Sequence, residues 1–298
     1  MASDVTTTDA GKPVVDVNSV KHTLRVAILL CLGCSVLVSL FAVGLKSIQD
    51  ENRKAFQQKN VLQAAGLWTD GMDAKAEFES RVEQLVLNLE TGTIEKDADP
   101  EKIDTKKDSK KPELSDKIVD DIANVKRREK RTVIYRINDD GKETLVLPVR
   151  GYGLWSTLWG FIALDMTDAG SGADQITVKG LAYYDQKETP GLGGEVDNPL
   201  WKAKWVGKKA FAKDWAVKVK VTKGAKGIYQ VDALSGATIT SRGVSSMLTY
   251  WLGDEGFGPY LKQTSGAAPA EPEAGGEERA EGEHAGEEHA NENSGEHK

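Results

Sequence analysis

Between Lys46 and Ser265 the chain has neither histidine nor cysteine. The histidines are His22, His284, His289 and His297, and the cysteines are Cys31 and Cys34. That long stretch therefore excludes Ser-His-Asp and Cys-His catalysis, zinc held by histidine or thiolate, disulfides, haem histidines and cysteine-ligated clusters. Redox chemistry there would have to run on an organic cofactor, and the residue inventory fits a flavin by elimination. Nucleotide fingerprints are lacking too. The glycine-rich segments do not keep Rossmann spacing, with Val196 and Ser156 at the deciding positions, and no glycine loop runs into Gly-Lys-Ser/Thr. No metal site is expected.

Charge is missing from Val26 to Leu45, twenty residues with no Asp, Glu, Lys, Arg or His. As a helix that run crosses the roughly 30 Å of a bilayer core. Ala42-Val43-Gly44 resembles a signal-peptide cleavage site, but an apolar run this long favours a retained anchor over residues 21–46. The lipoprotein reading is poor, because Cys31 stands three residues before Cys34 and the apolar run continues past it. Cys31 and Cys34 share a helix face and are read as small hydrophobes. Orientation does not follow from charge. Lys12, Lys21 and Arg25 precede the span and Lys46, Arg53, Lys54 and Lys59 follow it.

Residues 1–20 are polar. Residues 266–298 hold ten glutamates against Arg279 and Lys298, which reads as an acidic, disordered tail. Without that tail the charges nearly balance, and no nucleic-acid partner is expected. In between lies a domain over residues 47–265. Helices are expected from Ser47 to Ala65, stopping at Gly66, and from Ala74 to Leu89, on the spacing of Phe78, Val82, Leu85 and Leu89. Residues 93–131 are mostly lysine and acid, which suggests a solvated insertion or linker with a short helix near Leu114 to Val125. Asn138-Asp139-Asp140-Gly141 predicts a hairpin between Thr132–Ile137 and Glu143–Val149. Further strands are expected at Leu158–Met166, Gln175–Tyr184 and Trp215–Val221, and Asn198-Pro199 opens a short helix. Strands beside strands with helices at the ends predict an α+β fold with a largely antiparallel sheet.

The most informative segment is Asp232-Ala233-Leu234-Ser235-Gly236-Ala237-Thr238. It joins an extended run to a helical pattern in which Val244, Met247, Leu248, Trp251 and Leu252 recur. Small residues at such a junction let a bulky group reach the backbone, and free N–H groups of the helix end favour a phosphate near Thr238. The plain alternative is a turn with Thr238 or Thr240 as helix N-cap. Two other segments accompany it: Arg150-Gly151-Tyr152-Gly153-Leu154-Trp155, and Glu188-Thr189-Pro190-Gly191-Leu192-Gly193-Gly194 continuing through Glu195-Val196-Asp197-Asn198-Pro199.

In this order, after a membrane anchor, these motifs resemble the C subunits of the Na⁺-translocating NADH:quinone reductases and, more widely, FMN-binding domains. The nearest alternative is the G subunit of the Rnf electron-transport complex. There a histidine commonly precedes Glu-Thr-Pro-Gly-Leu, whereas here Tyr183 to Lys187 stand before it. The resemblance implies FMN held covalently through its phosphate by an ester to Thr238, with Ser235, Gly236 and Ala237 forming the loop around it. It implies Glu188, Thr189, Gly191 and Leu192 lining the flavin and Leu154 and Trp155 against the isoalloxazine ring. Asp232 is expected to shape the loop or to serve the flavin transferase that attaches the group. Lys218 or Lys220 could offset phosphate charge. The implied role is electron transfer from NADH toward ubiquinone beside the other subunits, from a single-pass anchor in the lipid of the bacterial inner membrane, with the C-terminal domain periplasmic. The span offers only Ser35 and Ser39 as hydroxyls, so the sodium path is expected in multi-span partners. A protein of another class, a membrane-tethered binding or assembly factor without flavin, is told apart by colour.

Overall fold

The computed structural model describes residues 20–266; the N-terminal segment before Val20 and the acidic tail lie outside them. Helix α1, Val20–Gly44, is the one helix among the described residues long and apolar enough to cross a bilayer. After a turn at Leu45 the chain continues as α2, Lys46–Ala64, which ends before Gly66 at φ 73°. The carboxylate of Asp73 caps α3, Ala74–Arg81, accepting from the backbone of Lys75 and Ala76.

The helix expected to run on to Leu89 stops at Arg81. Val82–Asn88 is instead strand β1, paired antiparallel with β5 (Arg131–Asp139) from Val82↔Ile137 to Asn88↔Arg131. Spacing that reads as helical is overridden by a ladder with a distant partner, and the β-branched Val82 and Val86 suit it. The rest of the sheet comes from β2 (Thr93–Ile94), β6 (Lys142–Tyr152), β7 (Thr157–Asp165) and β8 (Thr177–Asp185). Its order is β2-β1-β5-β6-β7-β8, antiparallel throughout. The β5–β6 hairpin closes at Asp139↔Lys142 around Asp140 and Gly141, both at positive φ, as a two-residue turn requires.

Alternation along the strands divides the core. On one face Tyr135, Ile137, Val146, Phe161, Ala163 and Ala182 pack against Val61, Leu62 and Ala64 of α2 and Phe78 of α3. On the other Leu145, Leu147, Val149, Ile162 and Leu164 meet Val244, Met247, Leu248, Trp251 and Leu252 of α6 (Thr238–Leu252). The chain ends its described part in α7, Gly258–Thr264.

The stretch 93–131 carries α4 (Thr105–Asp108) and an antiparallel hairpin of β3 (Ser115–Lys117) and β4 (Arg127–Glu129), where a helix was expected near Leu114 to Val125. It is held to the sheet. Arg150 and Glu129, 4% and 1% exposed, form an ion pair, and Arg150 Nη1 lies 2.7 Å from Glu129 Oε1. The guanidinium sits 5.2 Å from the Trp159 ring and 4.9 Å from that of Trp251. Deleting one member would strand a buried charge. Urea unfolding of Arg150→Met should show a loss of about 3–5 kcal/mol, most of it recovered when Glu129 is also made Met.

The strand expected over Trp215–Val221 is shorter than its alternation suggests. Only β9, Lys220–Thr222, joins a ladder, parallel to β10, Gln230–Asp232; Val217 makes a single bridge to Phe211. Trp215 stands at φ 65°, which breaks the extended run. As expected, Asn198 opens a short helix, α5 (Pro199–Ala203), by accepting from Leu200 N–H at 2.9 Å.

Candidate functional site

Three segments meet at one corner of the sheet: the β6–β7 turn, the loop after β8, and the first turn of α6. Glu188 joins them. Its carboxylate is buried, and Oε1 accepts from the backbone N–H groups of Leu154 at 3.1 Å, Trp155 at 3.0 Å and Ser156 at 3.2 Å. Oε2 accepts from the Thr240 hydroxyl at 2.8 Å. Accepting from three backbone N–H groups and from the helix hydroxyl, this one side chain ties the turn to the helix. Two glycines make room for it. A Cβ on Gly153 would lie 2.6 Å from Oε1, and one on Gly193 would lie 2.7 Å from Oε2. Gly243 does the same for the helix, since a Cβ there would collide with the Tyr152 carbonyl oxygen.

The run after Glu188 folds on itself. The Thr189 carbonyl accepts from the N–H groups of Leu192 at 3.1 Å and Gly194 at 2.9 Å, around Gly191 at φ 77°. Gln186 braces the run from below, accepting from Glu188 N–H at 2.7 Å and donating to Asp197 at 2.9 Å. Burial pushes the Asp197 carboxyl above its usual range, against the opposing Gln186 bond and the Lys202 charge. Its ionisation therefore costs stability at neutral pH, and the cost disappears as the pH falls below the ordinary carboxylate range.

The junction into α6 is held from two sides. Asp232 accepts from Ala225 N–H at 2.9 Å, faces Lys204 at 3.7 Å, and its carbonyl accepts from the Trp201 indole at 2.8 Å. These contacts shape the loop. Ser241 accepts from Leu234 N–H at 3.0 Å and Ser245 from Val221 N–H at 2.9 Å, pinning the strand pair to the helix. Ser235 and Gly236 are exposed, Gly236 at φ 69° and so close to Leu192 that a Cβ would come within 2.9 Å of Cδ2.

Helix α6 begins without a side-chain cap. The capping position is Ala237, not Thr238 or Thr240: Thr238 is the first helical residue, and Thr240 is committed to Glu188. The N–H groups of the first turn are thus left for an outside acceptor. Thr238 itself is exposed. Around it lie exposed apolar side chains on the joined segments: Leu154, Trp155 (66% exposed), Leu192 and Ile239. A face of this kind, with an anion-receptive helix end beside an apolar shelf, suits a ligand with a phosphate and a flat ring.

Residues 153–253 match the model of the FMN-binding domain. The match begins at the Glu188-bound turn and ends at the close of α6. Over 255 residues the chain is 47% identical to the C subunit of the Na(+)-translocating NADH-quinone reductase of Pseudomonas aeruginosa, covering 82% of this chain and 95% of that protein. It is 40% identical to the Yersinia pestis counterpart over 83% of this chain and 93% of that one. The chain belongs to the C subunit family of the Na⁺-translocating NADH-quinone reductases. The crystal structure of NqrC from Shewanella oneidensis superposes on this member with a TM-score of 0.65 at 33% identity, over 74% of this chain and all of that one. The crystal structure of the Parabacteroides distasonis counterpart gives 0.57 at 27%, over 73% and 96%.

In this C subunit, the residues singled out from the sequence fall into two groups. Leu154, Trp155, Leu192, Ser235, Gly236 and Thr238 present surface at the junction, with Thr189 and Gly191 on the exposed arc beside them. Glu188, Ala237 and Asp232 do not face outward in the same way: Glu188 and Ala237 are buried, and Asp232 is bound to neighbouring loops. Thr240, Ser241, Gly153, Gly193 and Gly243 complete the arrangement and were not singled out as site residues. Gly153 and Gly193 stand inside the two glycine-rich motifs, and Thr240 reads from the sequence as a possible helix cap rather than as the partner of Glu188. Lys218 and Lys220 lie exposed near β9, which meets α6 at Ser245, two turns beyond Thr238.

Proposed function

We propose that this C subunit carries FMN as a phosphoester on Thr238 and serves as an electron-transfer station in the membrane complex, between the NADH-oxidising side and quinone. One observation supports it most: an exposed threonine hydroxyl stands on an uncapped helix turn beside an exposed apolar shelf. When bound, FMN supplies reversible electron uptake and release. The chain supplies the rest. Thr238 holds the phosphate and the N–H groups of the first α6 turn stabilise its charge. Leu154 and Trp155 shield one ring face from water, and Glu188 fixes the turn that carries them. Ser235, Gly236 and Ala237 keep the backbone low enough for the ring to approach, while Thr189, Gly191 and Leu192 border its edge. Asp232 acts by shaping the loop. Forming the ester calls for a flavin transferase and an activated flavin donor, a phosphoanhydride whose P–O–P bond breaks as the Thr238 oxygen bonds to phosphorus, the other phosphate leaving.

Helix α1 would sit in the lipid of the inner membrane and hold the domain beside the other subunits on the periplasmic side. There a covalent link prevents loss of the cofactor by diffusion. Two results are expected. Purified full-length chain should be yellow and stay yellow through denaturation and gel filtration; colour lost on denaturation would refute the ester. Protease added to intact spheroplasts should digest the domain, and protection until lysis would reverse the topology.

A further inference from the structure

Eight arginines lie between Lys46 and Ser265. Seven have partners. Arg53 pairs with Asp50, Arg81 with Glu77, Arg128 with Glu255, Arg131 with Glu95, Arg136 with Glu83 and Arg150 with Glu129, and Arg127 bonds Ser115. Arg242 is the exception. Its side chain is exposed and, among the described residues, makes no ion pair, hydrogen bond or ring contact.

Its place in the helix gives the lone cation a use. Arg242 follows Thr238 by four residues in α6, so the two are neighbours on one face. Side chains of a helix lean toward its N-terminus, and each covers the surface over the preceding turn. The surface that Arg242 covers is therefore that of Thr238. The first-turn N–H groups beside it lack a side-chain acceptor, and the two acids on the junction are engaged elsewhere, Asp232 facing Lys204 and Glu188 bonded to Thr240 and the β6–β7 turn.

We propose that Arg242 is a ligand of the FMN phosphate, clasping the ester on Thr238 from one helical turn away; this rests on the function proposed above. A phosphodiester keeps one negative charge and two free oxygens at neutral pH. A guanidinium is always charged and offers paired donors that match two such oxygens, which an ammonium cannot do. The clasp restrains the tether, and with it the position of the ring over Leu154 and Trp155. It takes no part in moving electrons.

The test uses full-length, flavin-loaded protein in detergent and reads the phosphorus nucleus. In the wild type the ³¹P resonance of the folded protein should be displaced from its position after denaturation. In Arg242→Gln it should move most of the way toward the denatured position, with Arg242→Lys intermediate. Flavin fluorescence anisotropy should fall in the same order. Because Arg242 is exposed, both variants should keep the wild-type Tm. A flavin-loaded Arg242→Gln with the wild-type folded resonance would overturn the clasp and leave the ester standing. A wild-type polypeptide with no phosphorus resonance after denaturation would overturn the ester, and the clasp with it.

Discussion

Thr238→Ala should abolish flavin fluorescence in a denaturing gel while leaving the domain folded. The substitution removes the hydroxyl that would form the ester and almost nothing else. Thr238 is exposed, it is not the residue that caps α6, and its neighbour Thr240 is the hydroxyl that holds Glu188. Surface changes of this kind alter stability by no more than about 0.5 kcal/mol. Circular dichroism should therefore superpose on the wild type, with Tm within about 2 °C. Quinone reduction by membranes carrying the variant should fall to background. A fluorescent band of normal strength in Thr238→Ala would remove the assignment.

Glu188→Ala should be the most damaging single change among the residues that build the candidate site. It takes away the only acceptor that three consecutive N–H groups and the Thr240 hydroxyl share, at a buried site. Leaving buried donors without partners costs about 1–3 kcal/mol each, less where water enters the space left behind. A net loss of roughly 2–4 kcal/mol lowers Tm by about 5–12 °C in a domain of this size. Flavin attachment should drop several-fold as well, because the turn bearing Leu154 and Trp155 loses its tie to α6. Glu188→Gln is the informative companion. Its carbonyl oxygen can still accept from the turn, and Thr240 can rotate its hydroxyl to accept from the amide. It should keep most of the stability that Glu188→Ala loses. Equal damage in both variants would show that charge matters more than connectivity; an undamaged Glu188→Ala would show that the tie is dispensable.

These two expectations differ in how far the residues announce them. The junction that carries Thr238 is legible from its neighbours alone, because small residues leading into an amphipathic helix are a local pattern, whereas the ester on it is implied only by the family resemblance. The β5–β6 hairpin is legible for the same reason, its turn being written in Asp140 and Gly141. Glu188 reads as a lining residue of the flavin site in the sequence, but its carboxylate is turned to backbone 32 to 34 residues earlier and to Thr240, 52 residues later. No window along the chain reveals such a contact. The strand at Val82–Asn88 is hidden in the same way. Its apolar spacing also fits a helix, and the choice is made by β5, which lies beyond the charged stretch 93–131. That stretch itself looks solvated by composition, yet it delivers Glu129 to Arg150 in the interior. Composition reports what is abundant, and here one residue out of many determines how the segment is held.

The most direct measurement is tandem mass spectrometry of the tryptic peptide 227–242 from protein made in cells that contain the flavin transferase. That peptide holds four hydroxyl-bearing candidates, Ser235, Thr238, Thr240 and Ser241, besides Tyr229. Thr240 and Ser241 are buried and bonded to Glu188 and the Leu234 backbone, whereas Thr238 is free at the surface. The prediction is a single added mass of FMN less one water, with every fragment that contains Thr238 carrying it and none that lacks Thr238. An unmodified peptide, or a modification that maps to Ser235 or Thr240, would contradict it.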